Sequence, residues 1–285
     1  MGFAQRMGLR PVRSIMQKDA LDEETRNEVW NITYNLMQTL RNATSSYDAQ
    51  TPTFDAVTSA IWAWEFKKPR DEQPGDSSVW SGVKNQVFKG EWVDVLDLIE
   101  AIVGYTDRFK DYNTEDAVEV FTGIYNSTFE IMLVGYRFID MKLVPIDSDA
   151  EVEAITSALD QAQPFKGARH HLEQATRILA DRKTTDYPNV IKESISAVES
   201  VCVAVTGEHT LGDALKRLEG SGAKIHPALK GAWLKMYGWT SDDDGIRHGG
   251  IDAPDADQSL AKYMLVTCSA FVSHIIEVGR KAGLI

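Results

Sequence analysis

Gly135-Tyr-Arg-Phe-Ile-Asp-Met-Lys-Leu-Val-Pro-Ile146 is the stretch in which the hydrophobic rhythm of the chain leaves the helical period. Two short runs rich in aromatic and branched residues flank Asp140-Met141, the pattern of two β-strands joined by a two-residue turn, although the usual turn glycine is missing. On both sides the period is that of helices. The expectation is a mainly α fold: two helical domains with one small β-hairpin near their junction. Asp147-Ser148-Asp149, a polar cap for the next helix, sets the boundary between a domain of residues 1–147 and one of residues 148–285.

Toward the N-terminus, Asp22-Glu23-Glu24 makes an acidic first turn, favourable at the positive end of a helix dipole. Trp30, Tyr34, Met37 and Leu40 follow at helical spacing. Further helices are expected from Phe54 to Phe66, around Trp92, Val95, Leu96, Ile99 and Val103, and from Thr114 through Met132. Lys67 to Ser78, rich in Asp, Pro, Gly and Ser, reads as a loop. Beyond the boundary the pattern predicts helices over 150–162, 166–182, 187–206, 211–219, 225–237 and 256–280. The break before the last of them is Trp239-Thr-Ser-Asp-Asp-Asp-Gly-Ile-Arg-His-Gly-Gly250.

At 43% hydrophobic and 25% charged residues the composition is that of a globular protein. The net charge is −12, and both halves are acidic: 15 basic against 23 acidic residues up to Asp147, then 15 against 19. A polyanion would therefore need a local basic patch, or one assembled by an oligomer. Cys202 and Cys268 sit in separate apolar runs and read as small core residues. The three Asn-x-Ser/Thr sites read as chance matches. With no apolar leader and no uninterrupted apolar run of spanning length, a cytoplasmic protein without a membrane segment is expected.

Phe3, Arg6, Gly8, Pro11, Val12, Arg13 and Gln17, then Leu21, Arg26-Asn27 and Trp30-Asn31, resemble the start of the N-terminal domain of AbiJ-type abortive-infection proteins. The Gly135–Phe138 and Leu143–Ile146 runs look like the end of the same domain. In the second half, Ala197-Val-Glu199, Val205-Thr-Gly207, Thr210-Leu-Gly-Asp-Ala-Leu215, Ile225-His-Pro-Ala-Leu229, Tyr237-Gly-Trp-Thr-Ser-Asp242 and Asp244-Gly-Ile-Arg-His-Gly249 are similar to the helical HEPN-like domain that often accompanies it. The resemblance implies a phage-defence setting, a C-terminal HEPN-like bundle, a homodimer and, for many such domains, ribonuclease activity without a metal. The usual HEPN signature has an arginine followed by a histidine after four to six intervening residues. None of His170, His171, His209, His226, His248 and His274 has an arginine at that distance.

The nearest constellation is Arg247 followed at once by His248. Metal-free RNA cleavage needs a base for the 2′-hydroxyl, an acid for the leaving oxygen and a cation for the phosphate. Histidine serves the first two and arginine the third. Neighbours on a helix point about 100° apart, so convergence needs either a non-helical turn at Gly245 and Gly249-Gly250 or a twofold dimer pairing Arg247 of one chain with His248 of the other. The opposing reading is structural: Asp242 to Asp244 cap a helical turn, Arg247 bridges back to those carboxylates, and His248 packs on the last helix. Thr240 and Ile251 occupy the key ligand positions of an EF-hand loop centred on Gly245, so that motif is excluded.

Glu199, inside an apolar run, is the candidate buried partner of Arg247, with Asp242 and Asp244 in support. Arg169, His170, Arg177, Arg182 and Lys183 make a locally basic helix, either a phosphate-tracking face in a dimer groove or a solvated surface. His226 before Pro227 reads as a helix cap, and His274 as a core or interface residue. Trp62 and Trp64 face different sides of a helix, one toward the core and one free to anchor an interaction. No metal-ligand set or cofactor fingerprint is expected. Two readings stand: an anti-phage effector that cuts RNA, or a catalytically silent dimeric module that senses a phage component or nucleotide or holds a partner protein.

Overall fold

The computed structural model describes residues 7, 16–43, 53–181, 186–223, 225–241 and 256–285. These residues form two compact units, Met1–Asp147 and Ser148–Ile285. Among them the fold is mainly α, with one two-stranded hairpin, as the hydrophobic rhythm predicts.

The first unit comprises α1 (Glu23–Ala43), α2 (Thr53–Ala60), α3 (Asp76–Lys89), α4 (Trp92–Phe109) and α5 (Ala117–Ile131). Helix α1 packs on α5 and α3, and α2 packs on α4. The buried stripe of α1 runs through Val29, Ile32, Leu36 and Leu40, while Tyr34 is 44% exposed. The aromatic pair Trp30 and Tyr34 thus flanks the core instead of forming it, since each bulky ring keeps one edge in solvent. Helix α3 is a correction: most of it has no counterpart among the expected helices. Its first residues, Asp76 to Ser78, fall in the stretch that reads as loop, yet Val79, Val83 and Val87 recur every four residues and are buried. Gly82 is there for space, because a Cβ on it would stand 2.9 Å from the Phe66 ring.

The hairpin pairs β1 (Arg137–Ile139) with β2 (Lys142–Val144) in antiparallel register, Ile139 opposite Lys142 and Arg137 opposite Val144. Asp140 and Met141 both take positive φ, 46° and 63°, the backbone of a type I′ turn. A three-residue pair alone would be marginal. Here both outer edges are occupied by side chains. Asn126 of α5 donates to the Phe138 carbonyl at 2.9 Å and accepts from its N–H at 2.7 Å. Glu100 of α4 accepts the Leu143 N–H at 2.7 Å and pairs with Lys142 at 2.8 Å.

The second unit comprises α6 (Asp149–Gln161), α7 (Lys166–Ala180), α8 (Tyr187–Thr206), α9 (Leu211–Gly220), α10 (Pro227–Ser241) and α11 (Gln258–Lys281). Helix α8 is central, with α7 and α11 against it, and α6 packs on α11 and, less extensively, on α7. Its limits follow local chemistry. Asp186 accepts the Asn189 N–H at its start, and Gly207 ends it in the left-handed region at φ 78°. Thr210 and Asp213 bond reciprocally at the start of α9. Ser148 precedes α6 without a side-chain cap bond.

Helix α10 runs on to Ser241, so Trp239, Thr240 and Ser241 are helical and not part of the break. By length and composition alone α11 is long and apolar enough to cross a membrane. Lys262, Ser269, Ser273 and His274 interrupt its apolar run, which is why a search for continuous apolar sequence passes over it. Its Met264, Leu265, Cys268, Val272 and Ile276 are buried in the second unit.

Candidate functional site

Of the residues singled out from the sequence, Arg247, His248, Asp242, Asp244, Arg182 and Lys183 lie outside the described residues. Glu199 stands on α8, half-buried, and accepts a hydrogen bond from the Tyr237 hydroxyl on α10. That bond links the two helices one turn before Ser241, where α10 ends. His226 does cap α10: its Nδ1 accepts the Ala228 N–H at 3.2 Å. His274 departs from the core assignment, since it is exposed on α11, with its ring centroid 5.5 Å from that of Trp233.

On α7, Arg169 Nε bonds Glu173 at 2.6 Å, Arg177 donates twice to Gln174, and His170 is exposed. The adjacent His171 turns inward to Glu193 of α8, Nδ1 to Oε2 at 2.7 Å. The α7 face therefore carries acid and amide partners beside its cations, and His171 ties α7 to α8. Among the described residues no three His, Cys, Asp or Glu side chains gather as a metal site would require. Burial, aided by the Glu199 carboxylate, pushes the Cys202 thiol up to about 12, and burial alone does the same for Cys268. Both are protonated at neutral pH and unsuited to nucleophilic work.

The first unit holds a second cluster, which reasoning along the sequence did not assemble. After α2 the chain widens into a π-helical turn, Ile61–Glu65, with the Phe66 N–H reaching back to the Ile61 carbonyl at 3.0 Å. Lys67 then takes a positive φ of 54°. The turn carries Trp64, 38% exposed, against Tyr105 and Phe109 of α4, at ring separations of 5.3 and 6.2 Å. Trp62 turns the other way, packs on the core, and donates its indole N–H to the Pro69 carbonyl at 2.7 Å. That bond steadies the short 3₁₀ turn Arg70–Glu72. Burial, and secondarily the hydrogen bond its hydroxyl donates to Glu65, raises the Tyr105 phenol well above its ordinary range. Of the two tryptophans, one of which is expected to stay available as an anchor, Trp64 is the more exposed; the cations around it come from other elements, and no spacing rule connects them.

Described residues among those that carry the resemblance, Gln17, Leu21, Arg26, Tyr136 and Arg137, take part in a hydrogen-bond network. Gln17 donates to Thr25 Oγ1 and to the Met132 carbonyl, at 2.7 and 2.8 Å, and accepts the Asp22 N–H at 2.7 Å. Its backbone bridges Leu133 and Gly135. Arg26 reaches the Leu21 and Val87 carbonyls, and the Tyr136 hydroxyl reaches the Lys18 carbonyl. Arg137, 1% exposed, donates to the Val134, Tyr136 and Asp147 carbonyls. These side chains lock the segment before α1 to the entry of the hairpin, which makes them determinants of the fold.

No curated protein and no solved structure matches the chain. Residues 1–161 match the family described as AbiJ N-terminal domain 4, a span that takes in the whole first unit and α6 of the second. With more than half of its length matched, the chain belongs to the AbiJ N-terminal domain 4 family and carries that family's association with abortive-infection defence.

Proposed function

We propose that the chain is an abortive-infection effector that acts on RNA in the cytoplasm of the infected bacterium, through a C-terminal unit of the HEPN type working as a homodimer. In this reading His248 takes the 2′-hydroxyl proton, the oxygen attacks the phosphorus, and the P–O5′ bond breaks. The departing 5′-oxygen takes its proton from the imidazolium of the second His248, and Arg247 holds the phosphate charge. What supports the reading is the Tyr237–Glu199 hydrogen bond, a half-buried carboxylate on α8 tied to the end of α10 just ahead of the segment that carries Arg247 and His248. The test compares total RNA from bacteria producing the wild type or His248→Ala, with and without phage. Discrete RNA fragments from the wild type alone support it. Intact RNA in both, with folded protein, overturns it.

A second reading has its own support: the α7 cations sit beside Glu173 and Gln174, His171 is engaged by Glu193, and the HEPN Arg–His spacing is absent. On that reading the C-terminal unit is a silent dimeric module that holds a phage component, a nucleotide or a partner protein. A purified dimer that leaves RNA intact and retains one such ligand would establish it.

A further inference from the structure

The Trp64 cluster opens into a cavity of about 600 Å³, within the range of about 300–1,000 Å³ usual for small-molecule sites. Ala56, Ser59 and Ala60 of α2 supply a wall of small side chains, and Phe109 supplies an apolar one. Two guanidiniums complete the lining. Arg108 lies 5.3 Å and Arg70 5.6 Å from the Trp64 ring centroid, near enough for cation–π attraction. Each guanidinium lies within cation–π range of the ring without stacking flush on it.

Both arginines are exposed, and neither side chain makes a hydrogen bond or an ion pair with a described residue. Of the carboxylates on the same elements, Glu65 takes the Tyr105 hydroxyl and Asp107 pairs with Lys110 at 2.9 Å, while Asp71 and Glu72 follow Arg70 in its turn without an ion pair to it. Two cations without carboxylate partners, converging on one cavity, stand out in a unit whose net charge is −8. The geometry is also held in place. The Trp62–Pro69 bond fixes the turn bearing Arg70, and the Glu65–Tyr105 bond fixes the π-turn to the helix bearing Arg108. A π-turn followed by a residue at positive φ is costly backbone, of the kind that concentrates at functional sites.

We infer that this cavity binds a free purine nucleotide, the base stacked on Trp64 and the phosphate held by Arg70 and Arg108. A bicyclic base gives the indole its largest overlap, and a guanidinium fork matches phosphate oxygens two at a time. The inference concerns the first unit and does not rest on RNA cleavage by the second.

The test is calorimetric titration of the full chain with AMP, ADP, ATP and GTP, and with adenosine, inorganic phosphate and a single-stranded RNA of about twenty nucleotides. One nucleotide should bind per chain, with adenosine and phosphate each at least about tenfold weaker because each offers half of the recognised chemistry. The Arg70→Gln/Arg108→Gln variant should lose at least about tenfold in nucleotide affinity, with an unchanged melting temperature. Trp64→Leu should lose nucleotide binding and leave phosphate binding as it was. Absence of nucleotide binding at millimolar concentration overturns the assignment. So does undiminished binding in the folded double variant, phosphate binding as tight as ATP, or a clear preference for the RNA.

Discussion

Tyr237 on α10 donates its phenolic proton to the half-buried carboxylate of Glu199 on α8, joining the two helices at the point where α10 ends. A hydrogen bond to a charged acceptor contributes about 1.5–3 kcal/mol, and few other links hold α10 to α8. Tyr237→Phe should lower stability by about that amount while leaving the bundle folded. It should also weaken protection against phage, measured as efficiency of plating, because the root of the 242–255 segment loses its tie. Undiminished protection by a folded Tyr237→Phe protein would separate this pair from the defence function.

The two buried thiols make a prediction about alkaline pH. Each rises from an ordinary value of 9.0 to about 12, through burial in both cases and, secondarily, the Glu199 charge at Cys202. An unfolded chain releases these protons near pH 9, whereas the folded chain keeps them. The unfolded state therefore binds fewer protons between those values, and stability must fall as pH rises. The slope is about 1.4 kcal/mol per pH unit for each thiol. Tyr105 and Tyr125, both raised by burial, act in the same direction at higher pH. Urea unfolding at about pH 8 and about pH 10 should show the loss, and Cys202→Ala/Cys268→Ala should flatten it. An identical slope in that variant would assign the effect elsewhere.

Helices α8 and α11 meet at Gly279, where a Cβ would stand 2.4 Å from Val205 Cγ1. Both positions are buried against the bundle, with little freedom to move apart. Gly279→Ala should therefore cost about 1–3 kcal/mol by overpacking. Adding Val205→Ala should return part of that loss, so that the two changes are non-additive in a double-mutant cycle. Strict additivity would mean that the helices separate to accept the methyl group.

How far this architecture is readable from sequence depends on where each determinant sits. Helix α8 occupies the expected 187–206, because an Asp-Tyr-Pro start, an apolar period and Gly207 all lie within one segment. The hairpin announces itself by its change of period. Its supports, Asn126 and Glu100, do not, since they act from helices distant in sequence. Helix α3 escapes because the Asp-, Pro-, Gly- and Ser-rich stretch up to Ser78 overlaps its first turn, while its apolar stripe rests on Val79, Val83 and Val87. Glu199 is recognisable as a carboxylate in an apolar run, but its bond with Tyr237 is a tertiary fact. The Trp64 cavity draws Arg70 and Arg108 from different elements around a π-turn, and hydrophobic periodicity carries no signal for that geometry.

Arg137 is the strongest test of the idea that the residues carrying the resemblance hold the fold. Its guanidinium is 1% exposed and donates to the carbonyls of Val134 at 2.7 Å, Tyr136 at 2.9 Å and Asp147 at 3.4 Å. Those acceptors bracket the hairpin on its entry and exit, so one side chain closes the loop that contains β1 and β2. Removing it leaves buried carbonyls without their donors, and the loss of a buried charged partner costs about 3–5 kcal/mol. Arg137→Ala should destabilise the first unit by that much, read as a shifted urea transition in tryptophan fluorescence. Arg137→Lys should recover only part, because an ammonium on a single stem cannot span acceptors on both sides of the hairpin. The deletion should also release the Gln17 bridge, since Gln17 bonds the Met132 and Leu133 carbonyls and the Gly135 N–H immediately upstream. Hydrogen exchange at Gly135 in Arg137→Lys reports on that coupling: faster exchange ties Arg137 and Gln17 into one cooperative lock, and unchanged exchange makes them independent.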